Sequence, residues 1–207
     1  MDEAVRTFNL LGNRLCLDFT NTVDDRLREN KDELLADYRD LVAWSRQTGI
    51  TTDAEASHLL AAAKGRPEEA EAVRKRAVTW REALFRIFQA YVDETDPNEE
   101  DLCQFNAVLS EAMSKTRLVS GDEHYHWDWA EKETALDWML WPVLRSAADL
   151  LISEDLHLMR QCASEDCSWL FLDTSKNHSR RWCNMQNCGN RAKVNRHYDR
   201  KKQAVGK

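Results

Sequence analysis

The chain has 207 residues, 43% of them hydrophobic and eight of them tryptophan, which is enough apolar mass for one ordinary domain and a small appended one. The net charge of −7 hides an asymmetry. Residues 160–207 hold eleven Lys or Arg against four acids, a net of +7, which leaves −14 on the first 159 residues. No apolar run is long enough to span a bilayer, and Met1 to Leu10 carry two acids and an arginine with no apolar signal-peptide core, so the chain is expected in the cytoplasm with reduced thiols. Gly-rich phosphate loops, nucleophile elbows and HExxH are all missing, so no enzyme class is indicated.

In chain order, the first strong pattern is Asp32 to Thr48, where Leu34, Leu35, Tyr38, Leu41 and Val42 share one helical face. Asp32 is the expected N-cap, and Gly49 follows the end. Thr52 and Glu55 have the capping-box form, predicting a second helix with Leu59, Leu60 and Ala63 that stops at Gly65. Pro67 suits a helical first turn, and the 4-3-4-3 spacing of Val73, Ala77, Trp80, Leu84, Ile87, Phe88 and Tyr91 predicts a long third helix. Asp96-Pro97 is read as opening a fourth helix lined by Leu102, Phe105, Leu109 and Met113.

From Arg117 to Trp129 the turn signal Ser120-Gly121-Asp122 and the alternation that follows predict a short hairpin. A fifth helix is expected from about Glu131 to Leu151, kinked or split by Pro142. The boundary to the basic part is placed near Ser153-Glu154-Asp155, giving a helical domain over 1–152 and a small module over 156–207. Cys16 and Cys103 stand alone and are expected to pack in a core.

Cys162, Cys167, Cys183 and Cys188 form two C-x4-C pairs fifteen residues apart. Four thiolates satisfy a tetrahedral Zn²⁺, and pairs a few residues apart let each segment supply two ligands from one turn. Two disulfides would need the same even count, but only in a secreted chain. A closed set of four cysteines leaves no position for water or substrate, so the metal is read as structural. Trp169 to Asp173 reads as a strand, Thr174 to Asn177 as a turn and Arg181-Trp182 as a returning strand. A helix from Arg191 to Lys202 would complete a treble-clef-like knuckle, hairpin and helix. On a helical wheel Val194 and Tyr198 form a packing face towards Trp169, Phe171 or Trp182. Lys193, Arg196 and Arg200 lie opposite and, with Arg180, Arg181, Lys201 and His197, are candidates to meet phosphates.

The run Cys188-Gly189-Asn190-Arg191, with Cys162 to Cys167, Trp169 to Asp173 and Arg180-Arg181-Trp182-Cys183, resembles the CGNR zinc finger. That resemblance implies zinc ligands at Cys162, Cys167, Cys183 and Cys188, and places Arg191 in the signature, where it is expected to brace the module while also touching a phosphate, as one more nucleic-acid-binding candidate. The segment Gly12-Asn13-Arg14-Leu15-Cys16-Leu17-Asp18-Phe19-Thr20-Asn21-Thr22, with Leu140-Trp141-Pro142-Val143, resembles the ABATE domain that precedes this finger in stress-induced bacterial transcription regulators. It implies a DNA-binding finger behind a helical small-molecule sensor.

The expectation is therefore a mainly α chain: a helical domain with a short β-hairpin, then the finger, acting as a dimeric DNA-binding regulator. The alternative is an adaptor that docks the basic module on an acidic protein or on RNA. Asp18, Asn21 and Thr22, with Arg14 or Arg145 supplying charge and some of Trp44, Trp80, Trp138 and Trp141 as walls, are candidates for an effector site. The same polar residues equally suit capping a helix or pinning a turn.

Overall fold

The computed structural model describes residues 6–24, 26 and 31–195. The chain opens with a short helix, α1 (Leu15–Thr20), and a two-stranded ribbon of β1 (Val23–Asp24) and β2 (Asp32–Glu33) paired through Val23↔Glu33 and Asp24↔Asp32. Helices α2 (Tyr38–Gln47), α3 (Asp53–Gly65), α4 (Pro67–Val92) and α5 (Glu99–Ser114) follow. Next comes a hairpin of β3 (Thr116–Ser120) and β4 (Tyr125–Trp129), then a 3-10 turn (Trp138–Leu140) running into α6 (Trp141–Leu151). A second hairpin, β5 (Met159–Gln161) with β6 (Leu170–Leu172), precedes a π-helical turn (Met185–Gly189) that continues as helix through 190–195.

Local chemistry explains most of these bounds. The predicted capping box holds at α3: Thr52 accepts from the Glu55 amide, and Glu55 accepts from that of Thr52. Pro67 sits in the first turn of α4. Three predicted starts move. Asp32 does not cap α2; it lies in β2, and Asp37 caps α2 in a box with Asp40, so Leu34 and Leu35 precede the helix. The start of α5 is capped by Asn98, not by Asp96-Pro97. Pro142 neither kinks nor splits a helix from Glu131: it occupies the first turn of α6, where no intrahelical N–H bond is lost. Cys16 is buried as expected, its thiol pushed up to about 12 by burial, whereas Cys103 is exposed on α5.

Alternation along the second hairpin couples the tail to the body. Leu170 and Leu172 enter the main core with Met159 and residues of α1, α2, α4 and α6. Phe171 and Trp169 point the other way, into a small cluster with Cys162, Cys183 and Cys188. One strand thus serves two cores.

Candidate metal centre and nucleic-acid interface

The first cysteine pair forms the loop of the second hairpin: Cys162 follows β5 directly, its amide donates to Trp169 O at 2.9 Å, and Cys167 closes a turn on Ser164. The expected return strand at Arg181-Trp182 is not formed, because β6 already pairs with β5 upstream; Arg181 contributes only its carbonyl, which accepts from Ala163. That bond lays the second pair beside the first. Asn184 caps the π-helical turn by accepting from the Gln186 amide at 2.7 Å, which puts Cys188 at the helix start.

The four sulfurs all lie within 4.8 Å of one another, with Cys167 and Cys183 3.7 Å apart and Cys183 and Cys188 3.6 Å apart. Zn–S bonds of about 2.3 Å in a tetrahedron place sulfurs about 3.8 Å apart. A disulfide requires about 2.05 Å, and all four cysteines are free. Electrostatics agree. Hydrogen bonds from Cys167 and Cys183 pull the Cys162 thiol far below its ordinary range, while Cys167 and Cys183 are driven up by Cys162, and Cys188 by burial. Four thiolates held this close repel one another, and a dication between them offsets part of that charge, which is what zinc supplies. Among the described residues, no other group of three or more His, Cys, Asp or Glu is placed to hold a metal, so His124 and His126 form no such site.

The ABATE family, described as "Putative stress-induced transcription regulator", matches residues 13–154, and the CGNR zinc finger matches residues 159–201. The chain belongs to the ABATE family and carries a CGNR zinc finger. With the finger's identity and the sulfur geometry together, the cofactor is one structural zinc held by Cys162, Cys167, Cys183 and Cys188. None of the curated proteins compared matches the chain. No described helix is long and apolar enough to cross a membrane.

Within this ABATE–CGNR protein the basic residues divide. Arg180 is used internally: Nε donates to Trp182 O at 3.0 Å, Nη2 to the Cys183 and Leu11 carbonyls, and the guanidinium stacks 4.2 Å over Phe171. Arg191 reaches back to Asp166 at 3.7 Å, tying the helix to the first knuckle as a brace. Arg181 lies 5.4 Å over Trp182 and is exposed, and Lys193 is exposed without an ion-pair partner among the described residues. Val194 leaves 51% of its surface open, so the predicted packing face is not formed there. Trp169 is instead bound to Val23 O through its indole N–H at 2.9 Å, and Phe171 is covered by Arg180. Arg196, His197, Tyr198, Arg200 and Lys201 lie outside the described residues.

The predicted effector residues separate too. Asn21 is buried and acts as a strand edge for β6: Nδ2 donates to Leu170 O at 2.8 Å and Oδ1 accepts from Leu170 N at 2.9 Å. An amide is the side chain that offers both roles at once. Asn13, in the left-handed region at φ 62°, donates to Leu172 O, and Leu172 N donates to Gly12 O. A side chain at Gly12 would meet Leu17 Cβ at 2.6 Å, so only glycine fits this approach. Thr22 presents its carbonyl to Arg81. Asp18 accepts from the Gly12 amide at 2.8 Å, and Arg14 turns away to Asp155, so neither Arg14 nor Arg145 supplies the charge Asp18 was expected to need. Trp44, Trp138 and Trp141 are buried in the core. Arg14 and Arg145 meet elsewhere, in a cleft with Trp127 and Trp129.

Burial without a cation raises the Asp18 carboxyl to about 6. A raised native value means the folded state holds its proton longer than the unfolded chain, so this residue makes stability fall as pH rises from about 4 to about 6. Asp18→Asn keeps an acceptor for Gly12 and removes the charge. Its stability should match the wild type below pH 4 and exceed it by up to about 3 kcal/mol above pH 6, as read by urea unfolding across pH. A pH-independent difference would refute this account of Asp18.

Proposed function

We propose that this protein is a cytoplasmic DNA-binding transcription regulator that works as a homodimer, with the helical body sensing a small-molecule effector and no enzymatic role. The observation that carries the reading is a four-cysteine frame in which Arg180 is spent on holding the knuckles while Arg181, Arg191 and Lys193 stay exposed, Arg191 with a 3.7 Å pair to Asp166. Cations on and beside a metal-braced helix suit phosphate contact, and the −14 body is repelled from the same polyanion. Arg196, Arg200 and Lys201 extend the cationic surface in sequence. One finger buries little surface, so two copies are needed for tight, specific binding.

The test is the salt dependence of duplex binding by the zinc-loaded chain. Each phosphate contact contributes about 0.9 to the slope of log K against log salt, so Lys193→Ala with Arg196→Ala should flatten it by about 2. A slope unchanged by the double substitution removes these residues from the interface. It then favours the adaptor reading, in which the basic module docks on an acidic protein.

A further inference from the structure

We propose that the cleft between β4, α6 and the start of α1 binds a small planar aromatic monoanion, with an arene carboxylate as the fitting chemistry. The cleft has a volume of about 290 Å³ and is walled by Trp127, Trp129 and Pro142, with Arg14, Arg145 and Asp149 among its polar groups. That volume sits at the lower edge of ligand pockets, about 300–1,000 Å³, which suits a ligand of one or two rings.

Two indoles and a proline ring favour a flat apolar ligand. The alternation of β4 puts Tyr125, Trp127 and Trp129 on one face, with Trp129 buried against Trp141 and Trp127 half-open over the cleft. The Arg145 guanidinium lies 4.3 Å over the Trp127 ring, so its plane is already oriented. Each guanidinium faces one exposed acid, Arg145 facing Asp149 and Arg14 facing Asp155, so a ligand with one carboxylate enters by taking the place of one of them.

Both arginines are paired with exposed acids. Arg145 Nε is 3.6 Å from Asp149, and Arg14 Nη2 is 2.5 Å from Asp155; the two acids are 60% and 50% exposed. Pairs this exposed contribute about 0–1 kcal/mol, so a ligand carboxylate taking a bidentate fork can replace either partner. Ser146, also in the lining, already accepts from Cys16 N at 3.3 Å and is left to that role.

This site gives chemistry to the effector proposed above, but it is tested on the protein alone, so it is decided whether or not DNA recognition holds. The experiment is calorimetric titration of the zinc-loaded full chain with benzoate, and with benzamide and benzylamine as neutral and cationic controls of similar shape. Benzoate should bind, benzamide about tenfold or more weakly, and benzylamine not at all. Arg145→Ala should weaken benzoate by about tenfold or more. Trp127→Ala, altering an exposed hairpin residue, should weaken benzoate while leaving the melting temperature unchanged. If Arg145→Ala does not fold, Arg14→Ala, which alters an exposed pair, replaces it. Absence of a benzoate signal at millimolar concentration overturns the proposal. So does a preference for benzylamine, or equal benzoate affinity in the wild type and a folded arginine variant.

Discussion

Removing the zinc from this protein is expected to lower the melting temperature of the whole chain, by about 10 °C or more, instead of merely releasing a floppy tail. The reason is the shared strand β6. Leu170 and Leu172 belong to the body's core while Phe171 and Trp169 belong to the metal cluster, so the residues whose placement depends on the cysteines also complete the body. Asn21, Gly12 and Asn13 hold β6 by its backbone, and those bonds end in buried unpaired groups if the strand leaves. Exposing Leu170, Phe171 and Leu172 alone costs about 5 kcal/mol or more. For a chain of this size each kcal/mol moves the midpoint by about 2–4 °C. Structural zinc in small modules binds with about 10–16 kcal/mol at neutral pH, so chelation withdraws more than this coupling needs to show. Calorimetry with and without chelator, repeated on Cys183→Ser, should give one transition shifted down. Two transitions, with the upper one at the holo temperature, would show that the body and finger are energetically independent. Elemental analysis of the purified chain should return one zinc per chain.

How much of this was readable in the amino acids varies with the range of the cause. The capping box at Thr52 and Glu55, the proline that opens α4 and the paired spacing of the four zinc-binding cysteines act over a few residues, and each produced the element expected. Asp32 has the composition of an N-cap, but it pairs with Asp24 in a two-residue ribbon too short to show alternation, whose neighbour Glu33 is held by the distant Arg81. Pro142 looked like a kink because Leu136, Trp138 and Met139 continue the apolar pattern upstream, although they pack as turns before α6 starts. β5 has three residues and no alternation of its own, so its claim on β6 was invisible and the return strand was assigned to Arg181-Trp182. In the polar run after Cys16, Asn21 binds the backbone of Leu170 in β6, a pairing across the chain that its local sequence does not announce. Trp127 and Trp129, which wall the cleft, are marked in the sequence only by their period-2 spacing along the hairpin. Charge patterning drew attention to the basic tail and away from an arginine in the middle of α4.

That arginine, Arg81, supports the other large prediction: Arg81→Ala should destabilise the protein by about 3–5 kcal/mol, and Arg81→Met with Glu33→Met should recover much of the loss. Arg81 is 0% exposed, on the same stripe of α4 as Ala77, Leu84 and Phe88. A charge on an apolar stripe survives only if all its donors are used, and here they are. Nη1 and Nη2 take both oxygens of Glu33 at 2.7 and 2.6 Å, Nη1 also donates to Thr22 O at 2.9 Å, Nη2 also reaches Glu82 at 2.8 Å, and Nε donates to Glu82 at 2.9 Å. Glu82 in turn pairs with Arg26, which donates to Thr20 O and lies 3.8 Å over Phe85. Two cations and two anions make a neutral cluster that fastens the β1–β2 ribbon and the end of α1 to α4. Truncating Arg81 removes the cation from Glu33, leaving its carboxylate only the Leu35 amide, and leaves Thr22 O only the Leu34 amide, which is why a single deletion costs more than replacing the pair by apolar groups of similar length. Burial would raise both glutamates, yet their arginine partners hold them below the ordinary carboxylate range. Their contribution is therefore complete above about pH 5 and is lost as pH falls through about 4 and below. Denaturant titration of the single and double variants at pH 7 and pH 4 reads both effects. An Arg81→Ala variant within 1 kcal/mol of the wild type at pH 7, or a double variant weaker than the single, would show that the cluster is not what joins these elements.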